Sequence, residues 1–147
     1  MSPKEYMSQI RVLNAKLDLI EANIKAVCEE RMTLRSAWPD GQPHGTLTGD
    51  PTAQKAIDLA QRLEGYEHEQ RMLRSKLFIE RVRIFDVILS IPDADCMRLL
   101  CYRYVNMLTW EEIAVLMHYT YQWVAGPLHS KALGLVEEIL NKKELIN

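Results

Sequence analysis

Between Leu108 and Val124 the chain has little freedom. Leu-Thr-Trp-Glu-Glu-Ile-Ala-Val-Leu-Met-His-Tyr-Thr-Tyr-Gln-Trp-Val specifies a capped helix, a three-residue turn and the start of a second helix. Thr109 is an N-cap whose hydroxyl can accept from a first-turn N–H, and Glu112, three residues on, completes a capping box. Ile113, Leu116 and Met117 share one face at helical spacing. Ala114 is small, as a close helix crossing requires. The turn falls at His118-Tyr119-Thr120, and Thr120 caps the next helix. Val124, ten residues after Ala114, then packs the second helix back onto the first. The spacing predicts a helix-turn-helix unit, whose second helix is the one that enters a DNA major groove. An αα-hairpin that only fills a core satisfies the same pattern.

With 147 residues, 48% of them hydrophobic, the chain can build one ordinary domain or a small domain on a long helical extension. Seven Met and two Phe favour helices packed on helices over a sheet. No run of about 18 apolar residues exists, so no transmembrane helix is expected. Met-Ser-Pro-Lys-Glu-Tyr has no apolar stretch behind it, so no signal peptide is expected either, and the expected location is the cytoplasm of a bacterial host. Cys28, Cys96 and Cys101 lack any ligand-pair spacing and read as reduced thiols, two of them in or near a core.

Two stretches carry heptad seams. Ser2 and Pro3 open a helix in which Ile10, Leu13, Leu17, Ile20, Ile24 and Val27 step 3-4-3-4-3, predicted to run to about Arg35, roughly 50 Å. Residues 36–51 hold three Pro and three Gly and read as loop. Gly41, Gly45 and Gly49 lack the Gly-Lys-Ser/Thr ending of a phosphate loop. Asp50 and Pro51 then cap a second long helix, with Ala56, Leu59, Leu63, Tyr66, Gln70, Leu73 and Leu77 on its seam. Beyond Leu77 the apolar set widens through Phe78, Ile79, Val82, Ile84, Phe85, Val87, Ile88 and Leu89, predicting burial on more than one side. Ile91-Pro92 ends this helix, and Asp93 starts another over Ala94–Asn106. Ala132, Leu135, Val136, Ile139 and Leu140 form a last amphipathic helix. The expectation is an all-α protein. A long N-terminal antiparallel helical hairpin, a coiled-coil arm, occupies residues 1–90 with its loop at 36–51, and a C-terminal three-helix helix-turn-helix head occupies 91–147. The seams fit an intramolecular hairpin and a dimeric bundle equally.

The segments Ile91-Pro92-Asp93, Arg98-Leu99-Leu100-Cys101-Tyr102-Arg103-Tyr104-Val105, Leu108-Thr109-Trp110-Glu111-Glu112-Ile113-Ala114, Tyr119-Thr120 and His129-Ser130-Lys131-Ala132-Leu133 resemble the ArpU/RinA-type phage transcriptional regulators. The head of that family is similar to region four of sigma factors. Lys4-Glu5-Tyr6, the Pro/Gly loop and Asp50-Pro51-Thr52-Ala53 extend the resemblance over most of the chain. It implies a role in phage or prophage gene control without a catalytic site. One departure stands out. The family usually sets the packing Val and the Ala of the Ala-Leu pair seven positions apart, whereas Val124 and Ala132 are eight apart, across Ala125-Gly126-Pro127. Pro127 has no N–H for the carbonyl of Trp123, so the expectation is a short segment Tyr121–Ala125, a kink, and a second segment Leu128–Leu140. A bulge absorbing the extra residue would let both Val124 and Leu128 face inward.

If the unit binds double-stranded DNA, Thr120, Tyr121, Gln122 and Ala125 face the base edges, Gln122 suited to adenine and Ala125 to a thymine methyl. Arg98, Arg103, His129 and Lys131 are the candidate phosphate contacts, although Arg98 and Arg103 equally suit pairing with Asp95 or Glu111, and His129 a plain surface position. Trp123 reads as a core tryptophan or, on DNA, as a wedge at the backbone. The formal charge of −2 falls entirely in residues 92–147, so one head offers a weak field to DNA and an oligomeric pair would recover affinity by avidity. Arg71, Arg74, Lys76, Arg81 and Arg83 form the one basic cluster. No catalytic or metal constellation is found; His68-Glu69 lacks the second His of a zinc-protease motif, and no cofactor is expected. The expected partners are DNA, a second copy through the heptad arm, or, where DNA contact has been lost, a host or phage protein; no membrane is expected.

Overall fold

A computed structural model of the chain describes residues 1–36 and 51–146, and among these every regular element is helical and none is a strand. The elements are α1 (Pro3–Met7), α2 (Gln9–Ser36), α3 (Pro51–Leu89), α4 (Ala94–Leu100), a π-helical turn (Cys101–Val105), α5 (Trp110–Met117), α6 (Tyr121–Trp123), a second π-helical turn (Val124–Leu128) and α7 (His129–Ile146). None of these helices is long and apolar enough to cross a membrane. The Asp50 cap and the loop glycines Gly41, Gly45 and Gly49 lie outside the described residues.

The first helix starts as its sequence dictates. Ser2 accepts from the Glu5 N–H at 3.2 Å and Glu5 accepts from the Ser2 N–H at 2.8 Å, a complete capping box with Pro3 in the first turn. It does not run unbroken to Arg35. At Ser8 the backbone turns to φ −81°, ψ −2°, and the Ser8 hydroxyl donates to the Lys4 carbonyl at 2.7 Å, competing with the regular ladder. At the other end of α3, Ile91-Pro92 stops the helix as expected, and Asp93 caps α4 by accepting from the Asp95 and Cys96 N–H groups at 2.9 and 3.1 Å.

The chain divides into two compact units, Met1–Asn14 with Lys76–Asn147, and Ala15–Ser75. This partition cuts both long helices and differs from the expected boundary at residue 90. The reason lies in burial. Met7 and Ile10 are fully shielded, as are Ile84 and Val87, so both ends of the expected arm join the core of the first unit. There α1 and α4 pack on α7, and Ile91, Cys96, Leu99, Leu100, Ile113, Val124, Ala132 and Val136 complete the core. Cys96 is buried and Cys101 half-buried, both as free thiols, and burial pushes both thiols up from their ordinary range. In the second unit Leu17, Val27, Leu59 and Leu73 are buried, and Lys55–Glu30 and Arg74–Glu21 ion pairs at 3.9 and 3.4 Å link α3 to α2. Both pairs are solvent-exposed and contribute little to stability.

One expectation about α3 fails. Of the apolar residues beyond Leu77, only Ile84, Val87 and Ile88 are buried, while Phe78, Ile79, Val82, Phe85 and Leu89 face solvent. The helix is covered on one side, not several. The N-terminal segment's place in the first core has a direct consequence. Ile10→Ala is expected to destabilise the protein by about 2–5 kcal/mol in urea unfolding, by lost burial and the cavity left behind. Val12→Ala, two residues on at a half-exposed position, should change it by no more than about 0.5 kcal/mol.

Candidate nucleic-acid interface

Local sequence determines the geometry from Thr109 to Trp123. Thr109 is extended (φ −73°, ψ 160°) and its hydroxyl accepts from the Glu112 N–H at 3.2 Å, capping α5. The reciprocal bond expected from the Glu112 side chain does not form among the described residues, so the cap is half a capping box. α5 ends at His118 in the left-handed region (φ 59°, ψ 37°), where the Tyr119 N–H reaches the Ala114 carbonyl at 3.1 Å. This is a Schellman-type closure with histidine in the place glycine usually takes. Thr120 then caps α6, accepting from the Trp123 N–H at 3.2 Å.

The helical path beyond Trp123 is not broken at Gly126-Pro127. Trp123, Val124 and His129 are all right-handed helical, and Tyr121 to Ile146 form one helical path through the π turn. The expected segments Tyr121–Ala125 and Leu128–Leu140 are therefore continuous. The wider turn accommodates the extra residue, and Val124 and Leu128 both face inward, as a bulge allows. A Cβ placed on Gly126 would meet nothing within 4 Å, so glycine is not needed to make room there.

This register sets the fate of each candidate residue. Thr120, Tyr121 and Gln122 are exposed at the start of α6, and Ala125 is half-buried. Trp123 is not a core residue: 45% exposed, it meets Tyr119 edge-on at 6.5 Å between ring centres. Arg98 is exposed and enters no ion pair among the described residues, whereas Lys131 is held by Asp93 at 2.8 Å. That contact, with the Cys96 N–H, keeps the Asp93 carboxyl below its usual range. Asp95, the expected partner of Arg98, instead accepts from the Tyr119 hydroxyl at 2.7 Å. Asp93, Asp95, Tyr119, Trp123, Pro127 and Lys131 thus line an open cleft of about 480 Å³ beside the turn.

Arg103 is half-buried, donating to the Leu108 carbonyl at 3.1 Å with its guanidinium 4.4 Å above the Trp110 ring. His129 is the clear correction. Sequence places it at the surface or on phosphate, but the inner face after the π turn runs Leu128, His129, Ala132, Val136, and the imidazole is buried. Its Nε2 lies 2.6 Å from the Tyr104 hydroxyl, and its ring stands edge-on to Trp110 at 4.8 Å. Burial pushes its pKa down to about 4, helped by the nearby Lys4 and Arg103 charges. A neutral, enclosed histidine cannot hold a phosphate.

Two cations enter that the sequence reading misses. Lys4 acts electrostatically on His129, and Arg11 on Arg103, while Arg103 also feels the Tyr121 side chain. Positive charge from the N-terminal segment thus reaches His129 and Arg103, an influence that the low charge of residues 92–147 hides. No sequence signal would have found it, because Lys4 and Arg11 lie about 100 residues away from Tyr121 in the chain. No protein-family model, curated protein or solved structure matches this chain.

Two stability measurements check these assignments. His118→Gly removes the cost of a side chain at positive φ and is expected to raise stability by about 1 kcal/mol, read as a higher urea midpoint. For His129 the folded pKa is depressed from 6.5 to about 4, so its contribution is fully present above pH 6.5 and is lost as pH falls toward 4. Wild type should lose about 1 kcal/mol between pH 7 and 5.5, and His129→Phe should flatten that decline. An unchanged decline in the variant would contradict the assignment.

Proposed function

We propose that the chain is a DNA-binding transcriptional regulator of the phage type implied by its resemblance to the ArpU/RinA regulators, working in the bacterial cytoplasm without a cofactor. In this reading α5, the turn at His118 and the helix beginning at Tyr121 are the helix-turn-helix of a sigma-region-four-like head. The observation that carries it is the exposure of Thr120, Tyr121 and Gln122 at the start of a helix whose next residue but one, Val124, is fully buried. Side chains presented in that way at a second helix reach base edges in a major groove. Arg98, Arg103, Arg11 and Lys4 supply the phosphate contacts, and His129 none. The arm is read as an antiparallel hairpin of α2 and α3, supported by ion pairs that join later residues of α3 to earlier residues of α2.

A second reading has an observation of its own. Val115 (74% exposed), Leu116, Tyr119 and Trp123 put apolar surface beside Glu111 and Glu112, and Lys131 is occupied by Asp93. Such a surface suits a host or phage protein as well as a nucleic acid, on a fold that has given up DNA contact.

Fluorescence anisotropy against the phage's own regulatory DNA separates the two. The regulator reading expects sequence-preferring binding that weakens steeply with salt. Gln122→Ala should cost about 1–3 kcal/mol and relax preference at one base position. Arg98→Ala should weaken all sequences alike and reduce the salt slope by about 1. Folded protein with no sequence preference at low salt would sink this reading, and loss of a captured protein partner on Leu116→Glu would favour the adaptor.

A further inference from the structure

The heptad seam that the sequence offers for self-association is largely used within the chain. Leu13, Leu17, Val27, Leu59, Leu73 and Leu77 are all buried in the single chain. A different seam is left open. On α3, Phe78, Val82, Phe85 and Leu89 step 4-3-4 and are between 43% and 70% exposed. At 100° per residue they fall within about 60° of one another, and roughly 110° around the helix from the buried Leu77, Ile84 and Ile88. α3 therefore carries two apolar faces, of which its own chain covers one.

We propose that the Phe78-Val82-Phe85-Leu89 face is the contact between two copies of this chain, paired in parallel as a short two-stranded coiled coil. Spacing makes the stripe self-complementary: Val82 and Leu89 stand at a positions and Phe78 and Phe85 at d, the two positions that face a partner helix in a coiled coil. Charge fixes the direction. Arg81 lies at the g position beside the stripe and Asp86 at the next e, five residues on, which is the spacing of an interchain pair in a parallel dimer, formed twice by symmetry. Both residues are exposed, and among the described residues neither side chain has an ion pair or hydrogen bond within the chain. In the antiparallel arrangement g faces g, and the g positions of the stripe are Arg81 and Ile88, so no carboxylate there answers Arg81. The exposed side chains, with Ile79 at an e position, offer roughly 500 Å² of apolar surface per copy. That is the size of the largest apolar patch on an ordinary monomer, often a functional one, and it is smaller than the ~800 Å² per partner of a standard interface, as expected of a reversible dimer. The proposal deepens the oligomeric part of the regulator reading, and its test contains no DNA, so either can fail alone.

The experiment is sedimentation equilibrium of the full chain at up to about 100 µM, with far-UV circular dichroism to check folding. Wild type is expected to be dimeric, and Phe78→Glu/Phe85→Glu monomeric with unchanged helicity, since both positions are already solvent-exposed. Arg81→Glu should weaken the dimer at least about tenfold, and Arg81→Glu/Asp86→Arg should restore it. Ser75 sits one heptad before Val82, so Ser75→Cys in a Cys28→Ser background should cross-link two copies on mild oxidation only if the pairing is parallel. A monomeric wild type, or a dimer that survives the double Glu change, overturns the proposal. A dimer that the double Glu change does abolish, but that fails to cross-link through Ser75→Cys, overturns its parallel register.

Discussion

Helical register after Val124 is the constraint on which the C-terminal half depends. Val124 has to lie against Ile113 and Ala114 for α5 and α6 to close, and Leu128, Ala132 and Val136 have to lie in the core that α4 and α1 share with α7. An α-helix cannot keep both sets inward across an extra residue. The π turn at Val124–Leu128 resolves the conflict, and it does so where Pro127 could not have donated a hydrogen bond in any case. That one turn has two consequences: Tyr121 and Gln122 remain outside, and His129 is carried inward beside Tyr104 and Trp110.

The polar groups near the turn are mostly spent on the protein itself. Asp93 caps α4 with one oxygen and holds Lys131 with the other, and Asp95 holds Tyr119. These contacts tie α4, the turn and α7 together at the expense of charge available to a ligand. Arg103 is compromised likewise, with its guanidinium over Trp110 and one N–H on the Leu108 carbonyl. Arg98, Lys4 and Arg11 stay exposed, and none of them enters an ion pair among the described residues. With so few charges per chain, pairing two chains matters for any nucleic-acid contact, since linked sites gain from effective concentration. The open stripe on α3 belongs to the same compact unit as the start of α6.

The caps and stops are legible residue by residue. Ser2, Asp93, Thr109 and Thr120 each cap the helix they precede, and Ile91-Pro92 ends α3, because these effects depend on side chains within three or four positions. The absorbed bulge at Val124–Leu128 is legible too, from the mismatch between two apolar spacings. The expected burial of Phe78, Phe85 and Trp123 fails for one shared reason: an apolar side chain announces that it can be buried, not that its own chain has a surface to offer it.

An all-helical chain, the caps at Ser2, Asp93, Thr109 and Thr120, and the exposed Tyr121-Gln122 start of the helix after the turn are written in the residues themselves. These rest on short-range hydrogen bonding and on apolar periods of three and four residues. That Met7 and Ile10 belong to one core with residues 76–147, and that His129 is enclosed beside Tyr104 and Trp110, came from long-range packing. Those facts depend on which distant surfaces meet, and no local pattern encodes that.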